Sequence, residues 1–140
     1  MRALMIATAT LIIGGFAATG VAAAQPAPSA DELTAKLQRA LNTSLPAEER
    51  AGELEGGQAA VSTADNIAAV MDRYQSMMSW RVQNAALNGN QVNAELAVSV
   101  PVFGTRTHQI YWVNQDGEWK LSNPSACVIA RDAAGAACTV

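Results

Sequence analysis

From residue 92 to 102 the even positions are Val92, Ala94, Leu96, Val98, Val100 and Val102, and the odd ones include Asn93, Glu95 and Ser99. Side chains on a strand point alternately to its two faces, so this spacing predicts a strand with one apolar and one wet face. Pro101 falls near its end, where the missing N–H does least harm. A second strand is predicted over 105–115, after a turn at Gly104. Asp116-Gly117 follows, a pair that tolerates the positive φ angles of a tight hairpin. A two-residue loop there sets Gln115 opposite Glu118, Asn114 opposite Trp119 and Trp112 opposite Leu121. Ile110, Trp112, Trp119 and Leu121 then share one face, with Tyr111, Val113 and Lys120 on the other; a slip of one residue would split the apolar set. A further strand precedes these over 79–87, with Trp80 and Val82 on one face and a change of phase at Asn84-Ala85-Ala86 that marks a bulge. Asn88-Gly89-Asn90 turns it into the strand at Val92.

Before the strands the period changes. Ser29-Ala30-Asp31-Glu32 has the capping-box pattern, and Leu33, Leu37, Ala40 and Leu41 follow at helical spacing, which predicts a helix over 30–42. Residues 43–57 are polar; Pro46 opens a short helical turn through Arg50, and Gly52, Gly56 and Gly57 stop anything longer. A second long helix starts at Ser62 or Thr63, with Asp65 in its first turn. Ile67, Val70, Met71, Tyr74, Met77 and Met78 form its apolar stripe and make it the natural cover for the sheet. After Leu121, residues 124–130 read as a short helix, with an extended segment as the alternative. The fold class is therefore α+β, with N-terminal helices packed on a curved antiparallel sheet of about four strands.

The first 24 residues stand apart. Arg2 is followed by an almost wholly apolar or small run to Ala18, and Ala22-Ala23-Ala24 supplies an A-x-A cleavage pattern. This is the form of a secretory signal peptide, with Gln25 the first residue after cleavage. Of 140 residues, 116 then remain: a linker over 25–29 and one domain over 30–140. Loss of Arg2 takes the nine basic residues to eight against twelve acidic ones, a net charge of −4. The charges are scattered, and no basic patch with interleaved aromatics speaks for nucleic acid. No second apolar segment is long enough to span a bilayer. The expected location is extracellular, whether free or held at the cell envelope. Two cysteines in an exported chain, Cys127 and Cys138, most simply form one disulfide; without nearby His or carboxylate ligands in a suitable pattern they make a poor metal site.

Candidate chemistry is sparse. His108 is the single histidine and shares strand parity with Arg106, Ile110 and Trp112, which puts Arg106 and His108 at the outer end of the apolar face. A general acid or base there needs a partner, for which Asp72 and Tyr74 are candidates; a polar residue on a half-exposed strand is the plainer reading. Glu48, Glu49, Glu53 and Glu55 are close together, but their spacing matches no EF-hand loop. Asn42-Thr43-Ser44 fits the N-glycosylation pattern. Met71, Tyr74, His108, Trp112 and Trp119 are the residues that would line a pocket between helix and sheet, and no cofactor or metal is implied. Patterns of hydrolases, zinc proteases, phosphate-binding loops and dinucleotide folds are missing.

Leu33-Thr34, Leu54-Glu55-Gly56-Gly57, MSWRVQNA at 78–85, NAELAVSV at 93–100, VNQDGEWKLS at 113–122 and Ser125-Ala126 together resemble the actinobacterial family of low-molecular-weight secreted antigens. The likeness covers most of the chain after the leader, and its motifs are structural. Cys127 and Cys138 depart from the usual pattern of that family. The D-G-x-W-K hairpin also resembles the closing strands of nuclear transport factor two-like domains, which implies a cone of helices inside a curved sheet, as in cystatin-like folds. The resemblance implies a secreted, non-enzymatic antigen of unspecified biochemical role. Two other functions remain in view: an extracellular carrier of a small apolar ligand in a cone-shaped pocket, and a pocket enzyme using His108.

Overall fold

A computed structural model of the chain describes residues 26–140. The leader expected over 1–24 lies outside the described residues. Helix α1, Ala30–Leu41, begins with the expected capping box: Glu32 N–H donates to Ser29 Oγ at 3.1 Å, and Ser29 N–H donates to the Glu32 carboxylate at 2.7 Å. Leu33, Leu37 and Ala40 turn inward. Thr34 ties the helix to the sheet, accepting from Val82 N–H at 3.0 Å. A short helix α2, Ala47–Ala51, follows Pro46.

Helix α3, Gln58–Tyr74, starts four residues before the expected Ser62. Its N-cap is Gly57 at φ 58°, a left-handed conformation that only glycine adopts freely. Asp65 accordingly lies beyond the first turn. It does not serve the helix dipole and instead pairs with the buried Arg50 at 2.7 Å. Arg50 Nε also donates to the Ala40 carbonyl, so one side chain joins the end of α1 to α2 and α3.

Four strands follow in simple antiparallel order: β1, Ser79–Asn88; β2, Gln91–Val100; β3, Gly104–Gln115; β4, Glu118–Leu121. The β3–β4 register is the expected one, with Gln115 opposite Glu118, Asn114 opposite Trp119 and Trp112 opposite Leu121. Asp116 and Gly117 have φ of 53° and 85°, as a tight hairpin turn requires. The bulge also falls where expected, with the β1–β2 register shifting between Gln83 and Ala86 and Asn84 at φ 53°. β2 stops two residues short of the expected end. Val102 belongs to the β2–β3 turn, where it is fully exposed, so the alternation that included it ran past the strand.

The sheet is open and curled. Its inner face presents Val82, Val92, Ala94, Leu96, Ile110, Trp112 and Leu121 to the helices. The cover is shared among helices: the second long helix, expected as the natural cover, is not the element that lies most directly on the strands. α1 lies on β1, and helix α4, Asn123–Val128, lies on β3. α3 packs across α1, α2, α4 and a π-helical turn, Ile129–Ala133, that continues α4. Residues 53–55 add a short parallel pairing at the far edge: Glu55 N–H donates to the Leu121 carbonyl, and Leu121 N–H to that of Glu53, both at 2.9 Å.

A candidate functional site at the open end of the sheet

The concave side of the sheet is filled. Between Leu37, Ile67, Met71, Trp80, Leu96 and Ile129 the space left is a cavity of about 20 Å³. Such a space holds about one water, whereas small-molecule pockets run to several hundred Å³. Trp112 is the largest fully buried side chain and is part of the filling.

Larger spaces lie at one end of the sheet. Strand pairing sets Ser79 beside Ser99 and Ser99 beside Thr105, so the link from α3 to β1 and the β2–β3 turn meet there. A cavity of about 270 Å³ opens beneath the turn, lined on the sheet side by Val98, Val100, Phe103, Arg106 and His108 and on the other by Asp132 of the π-helical turn. Arg106 and His108 do lie at the outer end of the inner face, through the strand parity read above. The carboxylate that joins His108 in this cavity is Asp132; the suggested partners are elsewhere. Asp72 lines a separate cleft with Gln38 and Trp80, and Tyr74 is 45% exposed at the end of α3. Asp132 was out of reach of periodicity arguments, because α4 winds into a π-helical turn that shifts the phase of its last residues.

The five residues named as pocket lining are therefore dispersed. Met71 borders the small interior cavity, His108 the rim cavity, and Trp112 the core. Trp119 is half-buried on β4, and Tyr74 stands in solvent, as does Met77. Both belong to the apolar stripe expected of the second long helix, but the helix ends at Tyr74; residues 75–77 beyond it are exposed, and Met78 returns to the interior cavity. Cys127 and Cys138 form a disulfide with Cα atoms 5.2 Å apart. It holds the tail against α3, where Thr139 N–H donates to Thr63 Oγ1 at 3.0 Å and Asn66 Nδ2 to the Ala137 carbonyl.

Most residues of the sequence motifs have structural work. Glu95, on the outer face, accepts from the side-chain amides of Gln83, Asn84 and Gln109 at 2.9–3.1 Å. Those donors, led by Gln83, hold its carboxyl below the usual range. Glu53 pairs with Lys36 at 2.8 Å, and Glu55 accepts from Asn123 N–H at the start of α4, so two of the four clustered acids are engaged separately. Gly56 packs so closely that a Cβ there would lie 2.7 Å from Asn123 Oδ1. The buried pair Ser122 and Ser125, present in the quoted stretches but without a role assigned from sequence, caps α4: Ser122 Oγ accepts from Ser125 N–H at 3.2 Å and donates to Ser125 Oγ at 2.7 Å, and Ser125 Oγ accepts from Tyr111 N–H. Among the described residues no three His, Cys, Asp or Glu side chains gather as a metal site would require, and no helix is long and apolar enough to cross a membrane.

An α+β protein with an open, curled sheet and a side-chain-filled concave face is what these elements define. The chain belongs to the family described as low molecular weight antigen MTB12, C-terminal domain, whose model matches residues 26–138. No curated protein and no solved structure matches the chain.

Proposed function

We propose that the protein is an exported, non-enzymatic member of this antigen family, folded as one unit over 30–140, and that it acts by contact at its surface. The observation that carries this reading is the filled concave face: a space of about 20 Å³ leaves an apolar ligand nowhere to lie between helix and sheet. The interior-carrier alternative would require that core to open. The His108 enzyme has support only from the rim cavity, in which Arg106 and Asp132 are its charged neighbours. Export is favoured by the apolar leader with its small-residue end, and by the Cys127–Cys138 bridge, which suits an oxidising compartment. Antigenicity describes an encounter with a host and leaves the molecular task to the surface chemistry.

Mass spectrometry of protein recovered from the growth medium tests this. The denatured chain is expected to begin at Gln25 and to lack two hydrogens relative to the dithiol. The native spectrum is expected to show the same bare mass. A chain that stays in the cells with its leader would sink the export reading. Added mass seen only under native conditions would sink the closed core.

A further inference from the structure

We propose that the open end of the sheet docks on an anionic phospholipid surface, through Met77, Val102 and Phe103. This goes beyond the proposed function by naming what the contact end meets, and rests on that reading only for where such a surface is met. Val102 is 100% exposed, Phe103 86% and Met77 59%. They come from two separate turns, yet Met77 and Val102 border one open cleft, and Phe103 adjoins Val102. Large apolar side chains gathered on one exposed tip mark a contact surface. The backbone points the same way. Phe103 N–H donates to the Val100 carbonyl at 3.1 Å, and Pro101 and Val102 are the central residues of this turn. Val102 has φ 74°, at the position where such a turn ordinarily takes glycine or asparagine. A β-branched residue there burdens the turn and gains no burial, so folding does not account for it.

Charge selects the partner. The segments that converge on this end are the last turn of α3, the start of β1, the start of β3 and the π-helical turn. They carry Arg73, Arg81, Arg106 and Arg131 against Asp72 and Asp132. The remaining described residues hold four basic and ten acidic groups. The segments nearest this end thus carry a net charge of +2 in an otherwise acidic protein, with Arg81 and Arg106 lining its clefts, and the same end carries the apolar tip. Apolar insertion combined with attraction to anionic headgroups is how peripheral proteins hold a bilayer reversibly. With Phe103 in the interface, Arg106 and His108 sit just behind it in the rim cavity, level with the phosphates. A second copy is a poorer occupant: two-fold pairing through this end would bring arginines against arginines.

Co-sedimentation with vesicles tests the assignment. Wild-type protein and V102S/F103S are compared on vesicles of phosphatidylcholine alone and of phosphatidylcholine with phosphatidylglycerol. The N-terminus is established by mass spectrometry and is common to both proteins, so their difference reads the tip. Wild type is expected to pellet with the phosphatidylglycerol vesicles, less so as salt rises. The double variant is expected to partition about tenfold more weakly, and Arg106→Gln to weaken binding with the tip intact. Both positions are exposed, so circular dichroism of the variant should match wild type. Equal pelleting of wild type and double variant would overturn the proposal. So would equal binding to neutral vesicles, or a dimer in sedimentation velocity that the same substitutions disperse.

Discussion

The two ends of the sheet are built on opposite terms. At one end the Asp116-Gly117 turn, residues 53–55 and the start of α4 close around Trp112 and Leu121, and backbone groups at the edge are paired. At the other end two turns carry Met77, Val102 and Phe103 into solvent, above a cavity lined by Arg106, His108 and Asp132. One end puts most of its apolar side chains into a core, with Leu87 of β1 the exposed exception at 53%; the other leaves three uncovered on its turns. Of the stretches that carry the family resemblance, Leu54-Glu55-Gly56-Gly57, the β3–β4 hairpin and Ser125-Ala126 lie at the closed end, while 78–85 and 93–100 reach the open one. Leu54-Glu55-Gly56-Gly57 supplies a buried leucine, a helix cap, a close approach and a left-handed start to α3. Ser122 and Ser125 complete it from the other side. The closed end is thus tied up in scaffold contacts, while the open end has exposed side chains and a cavity free for contact.

The comparison predicts where substitutions hurt. Trp112→Ala strikes the closed end and should destabilise by about 3–5 kcal/mol, because a fully buried indole is replaced by a cavity. Urea unfolding followed by circular dichroism would measure it. A loss no larger than that of an exposed position would mean Trp112 is not the keystone of that end. The disulfide comes next. Replacing both Cys127 and Cys138 by serine should cost about 2–3 kcal/mol on the loop-entropy account, given their separation of 11 residues. Hydrogen exchange should then show Thr139 N–H losing protection, with the β3–β4 hairpin unchanged. If protection is lost evenly across the sheet, the bridge does more than hold the tail.

Val102→Gly should act in the reverse sense. Relief of a left-handed β-branched residue is worth about 1–2 kcal/mol, and glycine's greater freedom in the unfolded chain takes back part of it. A net gain of roughly 0.5–1 kcal/mol in urea midpoint analysis is expected. Destabilisation would show that Val102 contributes to the fold and would remove the contrast between the ends.

The same contrast explains what could be read in advance. The hairpin register was legible because Asp-Gly admits one short turn and a slip would have divided Trp112 from Leu121. The capping box and the bulge were legible for similarly local reasons. The start of α3 was not, since Gly57 caps it by conformation with no side-chain bond to signal it. Met77 and Val102 read as inward because each continues a correct period one step past the end of its element, and Tyr74 because it is the terminal residue of α3, where the stripe leaves the core. Periodicity has no marker for the residue at which a strand or helix stops, and the open end of this sheet is made of such residues. Asp132 was missed for a different reason, a tertiary meeting of the π-helical turn with β3.

Between the two ends, on the outer face, Glu95 offers the smallest and most specific check. Three side-chain amides donate to its carboxylate, which depresses its pKa in the folded state. A depressed carboxyl contributes stability that is present above the unfolded value, about 4.3 for glutamate. That contribution is lost as pH falls through the folded value. Wild type should thus lose stability in acid relative to neutral pH by more than Glu95→Gln does. The difference between them should vanish at the acid limit of the folded range, where Glu95 is itself protonated. Titration by NMR of the Glu95 carboxyl carbon gives the same answer directly: a midpoint at or above that of free glutamate would mean the three amides do not hold the charge. The measurement also separates the middle of the sheet from its open end, because the three amide donors lie on β1 and β3 well inside the turns that carry Met77 and Val102.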